Sequence, residues 1–158
     1  MRSRTRALLA TAGVAAAGLV ATGVVSGQAA SARTGHTLIA HEKFTKTFMQ
    51  DVGEKGVSMG DRLVFTTEVR DLKGGQLGIG VGDCVLLSGT SDSDGQYNCL
   101  QTYHLVGGDF TTSGFFDYAQ KVNKWAIMGG TGRYRAATGE ADFTTLSADT
   151  FADTFRFR

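Results

Sequence analysis

Apolar and polar residues alternate at every second position through most of the chain beyond residue 56, a pattern that leaves little room for anything but β-structure. In GDRLVFTTEVRD, Leu63, Phe65, Thr67 and Val69 share one face, and Arg62, Val64, Thr66, Glu68 and Arg70 share the other. The turn LKGG leads into QLGIGVGDCVLLS, the polar tip GTSDSDGQ follows, and YNCLQTYHLV runs back. GGDFTTSGFF and NKWAIM are two further strand candidates. The terminal TFADTFRFR sets Phe151, Phe155 and Phe157 on one face and Arg156 and Arg158 on the other. No amphipathic helix of useful length interrupts the series. Strands roughly ten residues apart, joined by Gly- and Asp-rich turns, predict an all-β sandwich or barrel of about seven or eight strands. Sheets admit proline at edges and bulges, so its complete absence here leans toward a barrel with few free edges.

Residues 1–32 read as a leader. MRSRTR places three arginines before an apolar run of small residues, and Ala30, Ser31 and Ala32 form the A-x-A pattern a signal peptidase accepts. A membrane anchor is the rival reading, but Ala, Gly and Thr insert weakly compared with Leu, Ile and Phe. The expectation is a secretory signal peptide over 1–32, cleavage near Ala32, an extracellular product, and a single domain over 33–158. Without Arg2, Arg4 and Arg6 the formal charge falls from +1 to −2. A mildly acidic chain without basic clusters is a poor partner for nucleic acid or, after cleavage, for a membrane surface.

Several chemistries are set aside by spacing. GIGVGD lacks the G-x-G-x-x-G order and continues as a strand, and IMGGTGRYR lacks the G-K-[ST] ending of a phosphate loop. SDSDGQ has two aspartates but no distal Glu at calcium-loop spacing. His36, His41 and His104 show no metal spacing, so no metal is expected. No G-x-S-x-G elbow is present. Cys84 and Cys99 lie on the two arms of one hairpin whose tip is centred near Ser91 and Asp92, so a symmetric register sets them opposite each other. They form either a disulfide, which export favours, or leave one free thiol lining a cavity.

The order MGDRLVFT, GIGVGDCVLL, GGDFTTSGFF and IMGGTGRYRAATGEADF resembles the allene oxide cyclase and dirigent superfamily, and within it bacterial secreted allene-oxide-cyclase-like barrels, over roughly residues 56–145. The resemblance implies an eight-stranded antiparallel, calycin-like β-barrel. It makes GGTGRYRAATGE a strand-to-strand corner. There Gly129, Gly130 and Gly132 supply positive φ and close backbone approach, Tyr134 packs inward, and Gly139 lets the next strand bend. It also implies an apolar cavity that shapes a small hydrophobic substrate for cofactor-free cyclisation or stereocontrol, and a possible homotrimer. A non-catalytic barrel that binds a small molecule or lipid is the alternative.

Carried over residue by residue, the cyclase's first-strand glutamate corresponds to Glu42, its cavity cysteine to Cys84, and the asparagine of its F-T-N to Thr67. These are the catalytic candidates. Phe65, Tyr103, Phe110 and Trp125 are the substrate-binding candidates, with plain core packing as the competing role. Glu42 has its own competing role as an exposed charge near the mature terminus.

Overall fold

The computed structural model describes residues 35–91 and 94–158; the leader expected over 1–32 lies outside the described residues. The six alternating stretches all form strands, and two more join them. In chain order they are β1 (Thr37–Gln50), β2 (Arg62–Arg70), β3 (Gln76–Ser88), β4 (Gln96–Leu105), β5 (Gly108–Asp117), β6 (Val122–Gly130), β7 (Gly139–Thr145) and β8 (Thr150–Phe157). Each pairs antiparallel with its neighbour in sequence, and β1 pairs with β8, so the sheet closes into an eight-stranded barrel. Closure satisfies both edges of the sheet and removes the exposed strand that an open meander presents.

Because side chains alternate, one parity on each strand fills the interior. Phe65, Thr67 and Val69 on β2 are buried, as are Cys99, Gln101, Tyr103 and Leu105 on β4 and Phe151, Asp153, Phe155 and Phe157 on β8. One end of the barrel is blocked by aromatic rings. Phe110 stacks on Tyr103 at 4.8 Å and meets Phe155, Tyr134 and Phe157 at 4.9, 5.0 and 5.1 Å. Tilted and edge-to-face contacts of this kind add to the burial of apolar area.

Tyr134 reaches that plug from the corner between β6 and β7, which contains the short 3-10 helix Gly132–Tyr134. The corner is tied to the β4–β5 turn by Thr131 N–H donating to Asp109 O and Arg133 N–H donating to Gly107 O, both at 2.8 Å. Gly129, Gly132 and Gly139 have φ of 149°, 55° and 141°. Gly130 meets the expectation in one respect only, close backbone approach. It takes no positive φ, and its need is for space, since a Cβ there would lie 2.3 Å from Asp109 O. At Gly139 both constraints coincide, with a Cβ 1.9 Å from Arg156 O. Gly139→Ala is therefore expected to cost about 2–3 kcal/mol through strained φ and displaced β8 pairing. Urea denaturation measures this, and a cost below about 0.5 kcal/mol would show that the corner relaxes freely.

The hairpin register is the symmetric one, with Cys84 opposite Cys99 and their Cα atoms 4.0 Å apart. The two are joined in a disulfide. Cys84 is thus corrected from a free catalytic thiol to half of a bridge, because a thiol directly across a closely spaced antiparallel pair has its partner within bonding reach.

Candidate active site: a buried acid pair beneath an aromatic cavity

Halfway along the barrel the inward series turns polar. Glu42 from β1, Thr67 from β2, Gln101 and Tyr103 from β4, and Asp153 from β8 all point to the axis, each 3 % exposed or less. The Gln101 amide donates to Glu42 Oε1, and the Tyr103 hydroxyl donates to Oε2 at 3.0 Å. Gly80 on β3 makes room for this meeting. A Cβ there would lie 2.3 Å from Thr67 Oγ1, 2.6 Å from Gln101 Nε2 and 3.0 Å from Glu42 Oε1.

The Asp153 carboxyl and the Thr67 hydroxyl also face Glu42, although neither Asp153 oxygen nor Thr67 Oγ1 makes a hydrogen bond of full geometry. Burial pushes the Asp153 carboxyl well above its ordinary value, and the neighbouring Glu42 charge pushes it further. Burial also raises Glu42, while the polar groups around it, the nearby Thr67 and Asp153 first and then the hydrogen-bonded Gln101 and Tyr103, oppose that rise. Two carboxylates cannot both ionise in a space this dry. Both carboxyls are therefore harder to ionise than free ones, and Glu42 is the member whose oxygens are held by donors. The Tyr103 phenol is likewise pushed up, first by burial and then by both carboxyls, and stays a donor.

Above Glu42, away from the plug, lies a cavity of about 30 Å³. Glu42 and Gln101 form its polar floor; Phe65, Trp125, Phe143 and Phe151 stand in its walls beside the Cys84–Cys99 bridge. The rings of Phe65 and Trp125 lie over Gly82 and Gly114, where a Cβ would come within 2.0 and 2.4 Å of them. Phe44, Leu63 and Tyr118 line both this cavity and a groove of about 390 Å³ outside the rim, so they form the partition between the two. Phe44 stands next to a β-bulge in β1, the irregularity that most often re-aims a side chain near a site.

Of the sequence candidates, the fold brings Glu42, Phe65, Trp125 and Cys84 to the cavity, the last only as part of the bridge. Thr67 and Tyr103 sit against Glu42 but do not line the cavity. Phe110 belongs to the plug on the other side of the acid pair. Glu42 is buried rather than exposed near the terminus. Gln101 and Asp153 were missed, although a signal existed. Each is a polar residue in an inward apolar series, Asp153 between Phe151 and Phe155, and Gln101 between Cys99 and Tyr103.

Fold and site together define a closed antiparallel barrel that holds two carboxyls and a phenol inside, under an apolar chamber, with one end stoppered. The chain belongs to the allene oxide cyclase barrel like family, whose domain matches residues 41–155. Among solved structures it is similar to a pyocyanin demethylase, at 22 % identity and a TM-score of 0.63, covering 78 % of this chain and 98 % of that one. An exo-specific intermolecular Diels-Alderase is similar at 13 % identity and a TM-score of 0.60, covering 78 % and 98 %. A pterocarpan synthase dirigent protein is similar at 13 % identity and a TM-score of 0.58, covering 79 % and 94 %. At such identities the likeness concerns the fold. No curated protein matches the chain.

Proposed function

We propose that this protein is exported and that its barrel receives a small hydrophobic molecule above Glu42, steering a cofactor-free cyclisation or a related shape-controlled reaction. The observation that carries this reading is a carboxyl at the floor of an apolar chamber, held by two donors and backed by the buried carboxyl of Asp153. Such a pair gives or takes a proton without water, and rigid apolar walls select one folded shape of the substrate. Family membership supports the same reading, since the barrel's relatives in structure include a Diels-Alderase and a dirigent protein.

The chamber at rest holds about one or two water molecules, so admission of a substrate requires the partition side chains to swing toward the rim. Phe44, Leu63 and Tyr118 stand between the chamber and the outer groove and are only partly buried. The narrow chamber also favours a second reading, in which the barrel binds a small molecule without converting it.

Incubation with a spontaneously racemising allene oxide, followed by chiral chromatography, separates the two. Product of one handedness is expected, with the rate falling about a hundredfold in Glu42→Gln, the usual scale for removing a positioned proton-transfer group. Racemic product at the buffer rate removes the catalytic reading and leaves binding.

A further inference from the structure

We propose that the seam between β5 and β6 is the yielding wall of the chamber, latched by Trp125 and Asn123, and that its opening sets the size of ligand the chamber takes. This rests on the reading above that a hydrophobic molecule enters past the partition, and it says where the room for that molecule comes from.

The pairing is the first ground. The other ladders of the barrel run along all or nearly all of the shorter strand, whereas β5 and β6 pair only through residues 110–113 and 126–130. Nearer the rim, residues 114–117 and 122–125 lie outside the ladder, and side chains of β6 take backbone groups of β5 instead. The Trp125 indole N–H donates to Phe115 O at 2.9 Å. The Asn123 side-chain amide takes both polar groups of the Asp117 backbone, accepting from its N–H at 2.8 Å and donating to its carbonyl at 3.3 Å. The place of the seam is the second ground. Phe116 from one side of it and Trp125 from the other both stand in the chamber wall, their ring centroids 6.5 Å apart. Separation of the two strands here therefore adds directly to the chamber.

A ladder bond breaks only when a backbone moves, but these three break when a side chain rotates. β5 is held on its far side to β4 along its whole length, and β6 is held to β7 over residues 122–127. The seam thus parts with both neighbouring ladders intact. Phe115 is an exposed residue, so water replaces the partner its carbonyl loses. Such local opening makes a minor state that a ligand draws on, and apparent affinity scales with the open fraction.

Amide hydrogen exchange by NMR, together with titration by toluene and the larger 1-methylnaphthalene, tests this on the purified protein. The Asp117 amide is expected to exchange about a hundredfold faster than the paired amides of β2 and β3. Asn123→Ala removes two of the three latching bonds at a residue that does not line the chamber. It is expected to raise affinity for 1-methylnaphthalene about tenfold and for toluene by less, as a larger open fraction requires. Asp117 exchanging as slowly as the β2–β3 amides overturns the proposal, and this measurement on the parent protein decides the point even where the variant does not fold. Affinities unchanged in Asn123→Ala, or raised equally for both probes, overturn it while leaving the chamber as a ligand site. Binding of neither probe to either protein overturns the function proposed above and this inference with it.

Discussion

The double substitution C84A/C99A lowers the free energy of unfolding by about 3 kcal/mol, the loop-entropy value for a cross-link of this span. The bridge joins residues 15 apart in sequence and spans the β3–β4 ladder directly. In the folded barrel that ladder is already formed by backbone hydrogen bonds, so the cross-link acts mainly on the unfolded chain, which loses freedom when the hairpin's arms stay joined. Two consequences separate this from a simple packing defect. The urea dependence of the unfolding free energy steepens in the variant, because the unlinked denatured chain exposes more surface. The chamber also widens, because both sulfurs stand in its wall. Denaturation of the two proteins side by side, together with toluene titration, measures both effects. A loss below about 1 kcal/mol with an unchanged slope would show that the bridge constrains little.

Asp153→Asn raises stability at pH 8 relative to the parent protein and lessens its alkaline decline. Both buried carboxyls have folded-state values above their ordinary ones, burial being the first cause in each. Above about pH 4 the unfolded chain gives up these protons while the folded barrel keeps them, so the folded state binds more protons. That contribution is complete below the ordinary carboxylate range and is lost as pH rises through the folded values. An asparagine has no proton to lose. The opposite sign holds for Asp61, Asp94, Asp142 and Asp149, which hydrogen bonds hold low, Asp94 at about 2. Their contribution is present at neutral pH and is lost as acid protonates them. The parent protein is therefore most stable at mildly acidic pH, and the variant's optimum moves upward. Thermal melts from pH 4 to 9 test the point. A variant less stable than the parent at pH 8, or one with the same alkaline slope, would show that Asp153 is ionised in the folded barrel.

Strand positions were legible because period-two alternation is local, and a strand's two faces are written into consecutive residues. GDRLVFTTEVRD needed no partner to declare which side chains point inward, and all of Phe65, Thr67 and Val69 are buried as that reading required. The bridge was legible for a related reason, since a short polar tip sets the register of its own hairpin. The corner was less so. The tightest constraint at Gly130 is the carbonyl of Asp109, a neighbour 21 residues earlier, with Tyr134 four residues on closing in from the corner itself. The site was legible only as separate residues. Phe110 and Phe65 have the same chemical character and the same inward orientation, yet one closes the barrel and the other walls the chamber.

By itself, then, the amino-acid sequence determined which side chains face the axis, where the chain turns, and which cysteines meet, because each depends on residues close along the chain. Only closure of β1 against β8 decided the rest. It placed Glu42 beside Asp153 on the adjoining strand, two positions along the β1–β8 ladder though more than a hundred residues away in sequence, and the height of each inward residue along the axis depends on the stagger of all eight strands together. A buried acid becomes a paired acid only when the sheet has closed around it, since burial and a charged neighbour are properties of the enclosed space.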